Sequence, residues 1–227
     1  MVGSRLDMSA RLRRLLPLVA ALVLTGAAWD SVYPEDLNQA LRDASTIGNL
    51  DRVQRLIARG ADVNGKDEIG ITPLVMASML GYSAVVKKLL EAGADVNART
   101  DHGGTALMSA ALQGQAEAVK ILLDNGADVN ANEDTGLTAL MSASQRGSSE
   151  VVKMLLDKGA DVNAQSEDGR TALMLASSEA HLGAVKLLVE RGADVNARSK
   201  DGQTALMRAT SRGNEQVRDF LKQHGAK

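Results

Sequence analysis

The chain has 227 residues, 44% of them apolar and 24% charged, with a formal net charge of -2. It has no Cys and only three Pro, and its aromatic residues are Trp29, Tyr33, Tyr82 and Phe220. This composition excludes a disulfide framework, a thiolate zinc site, an iron–sulfur cluster and a cysteine nucleophile. It also argues against nucleic acid as a partner, because the chain lacks both a basic balance and the rings on which bases stack.

In chain order, the first element is a leader. Arg11, Arg13 and Arg14 precede an apolar run from Leu15 to Leu24, and Gly26-Ala27-Ala28 follow it. A basic stretch, a short apolar stretch and small residues at the end are the three parts of a secretory signal peptide. The run is too short for a membrane span, which needs about 20 apolar residues. Residues 1–28 are therefore expected to be removed on export, with Met1 or Met8 as the start and 29–33 as a short linker. Cleavage after Ala28 removes four Arg and one Asp and takes the charge from -2 to -5. The expected location is the periplasm or the outside of the cell.

The rest repeats. Gly-Ala-Asp-Val-Asn begins at Gly60, Gly93, Gly126, Gly159 and Gly192, each 33 residues after the last. Thr72, Thr105, Thr138, Thr171 and Thr204 keep the same step, the first followed by Pro-Leu and the others by Ala-Leu. In the unit from Asp67 to Arg99, Thr72 has the chemistry of an N-cap and Pro73 suits the first helical position. Gly81 ends that helix, and a second runs from about Ala84 to Ala92 with Val85, Val86, Leu89 and Leu90 as its apolar stripe. Helices this short need neighbours to cover them, so the units must stack. Five steps of roughly 10 Å give an expected length on the order of 50 Å.

The Gly-x-Thr-Pro-Leu opening and Gly-Ala-Asp-Val-Asn-Ala ending resemble the ankyrin-repeat family over about Pro34 to Lys227. The resemblance implies an all-α solenoid of helix–turn–helix units with short β-turn or hairpin loops, and the leader would make it an exported, bacterial member. Its units are 34–66, 67–99, 100–132, 133–165, 166–198 and 199–227. The two ends are expected to face water. Arg218 and Lys222 replace apolar residues in the last unit, and the first has Gln39 in the Thr slot with Arg52 and Arg55 on its second helix.

Two departures stand out. Where the family has His after Thr-Pro-Leu, this chain has Val75, Met108, Met141, Met174 and Met207. An apolar spine is a better reading than a copper series, because Met packs readily and rungs one helix apart cannot share a metal. Ala180 stands in the helix-ending slot that Gly48, Gly81, Gly114, Gly147 and Gly213 fill elsewhere, which makes 166–198 a weak joint.

Nothing in the sequence supports an enzyme, and no catalytic, cofactor or metal residues are assigned. His102, His181 and His224 occupy different unit positions, and the repeated Asp and Asn read as turn chemistry. The resemblance implies instead that a protein partner is bound by a monomer, on the concave face. The loop tips there include Glu68, Ile69 and Ile71; Asp101 and His102; Asp134 and Leu137; Asp168 and Arg170. The ends of the first helices add Met79 and Leu80; Leu112 and Gln113; Arg146; and Arg212. The apolar members read as a contact patch, and Arg146, Arg170, Arg208 and Arg212 as a basic half. The expected function is non-enzymatic binding. The alternatives are a secreted effector that inhibits a host or competitor enzyme, and a periplasmic accessory protein that stabilises an enzyme in stress defence.

Overall fold

The computed structural model describes residues 36–227, so the expected leader at 1–28 and linker at 29–33 lie outside the described residues. From Leu37 onward the chain is one compact unit. Its helices, in pairs, are α1 (Leu37–Thr46) and α2 (Leu50–Ala58), α3 (Pro73–Met79) and α4 (Ser83–Glu91), α5 (Ala106–Gln113) and α6 (Ala116–Asp124). The later pairs are α7 (Ala139–Arg146) and α8 (Ser149–Asp157), α9 (Ala172–Ser178) and α10 (Leu182–Glu190), α11 (Ala205–Ser211) and α12 (Glu215–Gln223). Extended pairing among the described residues is limited to one isolated bridge, Asn132 with Thr138.

The helices begin where hydrogen bonding lets them. Thr72, Thr105, Thr138, Thr171 and Thr204 each accept the amide of the residue three on, at 3.2–3.4 Å. That satisfies one of the orphan donors of the first turn. The first unit departs from the expected pattern because Gln39 cannot play this part. Its helix starts earlier, at Leu37, and Gln39 lies inside it, donating to Asp43 Oδ1 at 2.8 Å and accepting from Arg42 at 2.6 Å.

First helices pack on first helices and second on second, giving two rows. The first row is the more tightly packed. It buries small residues, Ala77, Ala110, Ala143, Ala176 and Ala209 at 0% exposure, where the second buries Leu89, Leu122, Leu155 and Leu188. The first-helix side is therefore the narrower, inner side of the stack. Beneath it runs the expected apolar spine: Val75, Met108, Met141 and Met174 are 0–7% exposed, while Met207, in the last unit, is 39% exposed.

The loops carry a second spine that the repeated Asp and Asn create together. Each Asp closes a local turn, as when Asp95 Oδ1 accepts the Asn97 amide at 2.9 Å. Each Asn reaches into the next unit. Asn97 accepts the Asp128 amide at 2.8 Å and donates to the Gly126 carbonyl at 3.2 Å. Asn64, Asn130, Asn163 and Asn196 make the same pair of bonds. Turn chemistry accounts for the Asp alone; the Asn ties unit to unit. In the first described unit Asn38, from α1, takes over by accepting the Asp62 amide at 2.8 Å.

At the last unit Lys222 is exposed, and half-buried Arg218 bonds Asp219 at 2.8 Å. Ala180 has a φ of 61°, the left-handed conformation expected of that slot. The contrast with Gly147 explains how Ala fits. A Cβ on Gly147 would lie 2.3 Å from the His181 ring, which caps it from the next unit. The residue in the His181 slot after Ala180 is the smaller Asn214, whose amide instead donates to the carbonyls of Ser177 and Ser178 at 2.8 and 3.0 Å.

Candidate binding face

Each loop tip is a tight turn held at its base. In the tip before α3, Asp67 Oδ1 accepts the amides of Ile69 and Ile71 at 3.0 and 2.8 Å. In the tip before α9, Ser166 Oγ donates to Asp168 Oδ1 at 2.5 Å and accepts the Arg170 amide at 3.0 Å. Neighbouring tips are also bonded through the backbone: Asp101 to Ile69 at 3.2 Å, Asp134 to His102 at 3.0 Å, Glu167 to Thr135 at 2.8 Å and Lys200 to Asp168 at 2.9 Å. The result is a row of tips fixed in register. A Cβ on Gly136 would lie 2.9 Å from the Glu167 amide nitrogen, so the close approach requires glycine there.

The sequence-derived face divides into two bands. Glu68, Ile69, Asp101, His102, Asp134 and Asp168 are exposed on the tips. Leu80, Leu112, Gln113, Arg146 and Arg212 are exposed at the far ends of the first helices, with Met79 half-buried beside Leu80. The seven residues of α3, at about 1.5 Å each, put about 10 Å of helix between the two bands. Ile71 and Leu137 belong to neither band. Both are half-buried against the hydrophobic core, because they directly precede the capping Thr where the chain turns inward.

The apolar band is larger than the sequence suggested. Ile47 is 62% exposed and stands 33 residues before Leu80, at the same position of its unit. Tyr82, 37% exposed, lies against Gly48, where a Cβ would meet its ring at 2.5 Å. Half-buried Met76, one turn before Leu80, extends the apolar surface toward the tips. Strict counting in steps of 33 would have found Ile47, but the irregular start of the first unit obscured it.

The expected basic half is mixed instead. Arg170 Nε lies 2.5 Å from Asp168, and Arg208 lies 3.4 Å from Asp201 and 3.1 Å from the Ser199 hydroxyl. Arg146 and Arg212 are exposed, with Glu179 between them at the same unit position. The Ser166 hydroxyl and, after it, Arg170 hold the Asp168 carboxyl down to about 2.

The histidines do not converge. His181 Nε2 lies 3.0 Å from the Gln145 carbonyl, the His224 ring lies 4.0 Å from that of Phe220, and His102 is at a tip. No group of three or more His, Asp or Glu among the described residues is placed to hold a metal ion.

A family model described as ankyrin repeats in three copies matches residues 8–100, 41–133, 93–166 and 140–227. The chain belongs to the ankyrin-repeat family. It is 43% identical over 53 residues to protein phosphatase 1 regulatory subunit 27 of Mus musculus, a stretch covering 23% of this chain and 34% of the mouse protein. Two putative ankyrin repeat proteins of Rickettsia felis are each 42% identical, over 51 and 48 residues. Those matches cover 22% and 21% of this chain and 81% and 73% of the Rickettsia proteins. Ankyrin repeats are protein–protein interaction modules. No described helix is long and apolar enough to cross a membrane.

Proposed function

We propose that this ankyrin-repeat chain is an exported, non-enzymatic module that binds a protein partner on its inner face, between the tips and the ends of the first helices. The observation that carries the reading is the exposed apolar band of Ile47, Leu80 and Leu112, continued by Tyr82. Large apolar side chains grouped on one face of a folded protein serve contacts more often than solvation. The tips are bonded to one another before any partner arrives, so little ordering entropy opposes binding. The mouse relative is named as a regulatory subunit of a phosphatase, which favours an enzyme as the partner, controlled by contact rather than by chemistry on this chain.

A photo-crosslinking residue at Leu112 should capture a protein from the native compartment, while the same residue at Lys153, exposed on α8, should not. Capture only from Lys153 would move the site to the outer row. Export rests on the composition of residues 1–28, and N-terminal sequencing of the exported species should begin at Trp29. Finding Met1 or Met8 intact would remove it.

A further inference from the structure

The inner face has two edges of opposite chemistry, the apolar one on the first three units and the other on the second to fifth. One edge is the apolar band at the helix ends. The other is a row of carboxylates on the tips: Glu68, Asp101, Asp134 and Glu167 stand 33 residues apart, at one position of four successive units. All four are exposed, and none forms an ion pair among the described residues. The row ends where Lys200 takes the same position. The apolar edge ends sooner, where Gln113 and then Arg146 follow Leu80.

From these edges we infer that the partner enters as a basic amphipathic α-helix lying along the stack, its apolar stripe on the helix ends and its Lys and Arg toward the tips. This rests on the inner-face reading above and adds the chemistry of what binds there. Three dimensions agree. The length of α3, about 10 Å, lies between the edges, enough to seat a helix whose diameter with side chains is about 10–12 Å. Successive units are about 8–10 Å apart, and seven residues of helix rise about 10.5 Å, so a heptad of the partner keeps step with one unit. Ile47, Leu80 and Leu112 span two such steps, which about 13 residues of helix would cover. A row of unpaired carboxylates is the wrong electrostatic partner for an acidic helix, and Arg146 repels a basic one, which confines it to the first units.

The test uses the full chain and two labelled 15-residue peptides, both with leucine at heptad spacing, one with lysine on the flanks and the other with glutamate. Fluorescence anisotropy should show the lysine peptide binding at least about tenfold more tightly, with an affinity that falls as salt rises. Leu80→Asp with Leu112→Asp should weaken it by about tenfold or more. Glu68→Gln, Asp101→Asn and Asp134→Asn together should weaken it and flatten its salt dependence, while Glu117→Gln and Glu150→Gln on the outer row change neither. Circular dichroism melts confirm folding, and the carboxylate variants decide the matter if the aspartate variant does not fold. Equal binding of the two peptides, or binding that survives both inner-face variants, overturns the inference. A native partner captured at Leu112 through an acidic or extended segment would overturn the helix and leave the inner-face module standing. Capture only on the outer row would remove both.

Discussion

The first three units and the last three are built on the same frame and present different faces. Leu74, Leu107, Leu140 and Leu173 are all 1% exposed, and every Gly-Ala-Asp-Val-Asn loop makes the same bonds to the next unit. At the surface position of Leu80, however, the chain reads Ile47, Leu80 and Gln113 in the first half and Arg146, Glu179 and Arg212 in the second. One position over, Met79 and Leu112 give way to Gln145, Ser178 and Ser211. A position repeats where its side chain must fit the neighbouring unit and varies where it meets water or a partner. Binding specificity is therefore to be sought in the residues that break the period.

If the halves differ only at the surface, equivalent core truncations must cost alike. Leu89 in α4 and Leu188 in α10 are 99 residues apart, three whole periods, and both are 0% exposed. Leu→Ala at either site should cost roughly 2–5 kcal/mol, read from urea unfolding. A cost at one site more than about twice that at the other would show that the frames themselves differ.

The tie between the halves is the next largest effect. Asn130 accepts the Asp161 amide at 2.8 Å and donates to the Gly159 carbonyl at 3.2 Å, joining unit 100–132 to unit 133–165. Asn130→Ala removes both bonds, at about 0.5–1.5 kcal/mol each, so roughly 1–3 kcal/mol is expected. Hydrogen exchange should also show the halves opening more independently, as nearest-neighbour coupling in a linear array requires. Unchanged cooperativity would place the coupling in the apolar spine alone.

What the sequence made legible follows the range of each interaction. Thr caps and glycine stops act within three or four residues, and both were readable from spacing. The reach of Asn130 was not, because its partners lie 29 and 31 residues on and meet it only after stacking. Ile71 and Leu137 looked like surface because they sit in the loops, yet the turn into the helix directs them at the core. Arg170 and Arg208 looked free because charge was counted without geometry, while Asp168 and Asp201 neutralise them. Ile47 was missed because the first unit lacks the Thr that marks the register elsewhere.

Among the described residues, the strained turn belongs to the second half alone. Ala180→Gly should stabilise the chain by up to about 1 kcal/mol, since glycine adopts the φ of 61° without a Cβ clash. Gly147→Ala, in the same slot one unit earlier, should cost more than that, because its Cβ also meets the His181 ring. Protection against hydrogen exchange across 166–198 should rise in the first variant. Equal and opposite effects in the two variants would mean that the strain alone matters and the capping ring does not.

The smallest effect is electrostatic and lies at the tip before α9. Asp168 titrates at about 2 in the folded chain, held down first by the Ser166 hydroxyl and then by Arg170, against about 3.9 for an unperturbed Asp. A carboxyl with a lowered folded value lends stability above the unfolded value and loses it as pH falls toward the folded one. The contribution is thus complete above about pH 4 and fades between there and pH 2. The side chain is 54% exposed, so water screens most of it and the melting temperature should scarcely record the loss. Carbon-detected NMR of the carboxyl should resolve it, with a midpoint near 2 in the wild-type chain. Ser166→Ala and Arg170→Gln should each raise that midpoint, the first by removing the largest single cause and the second by removing the guanidinium's hydrogen bond and charge. A midpoint unmoved by Ser166→Ala would make the ion pair the dominant interaction, and the tip would then belong after all to a half organised by its arginines.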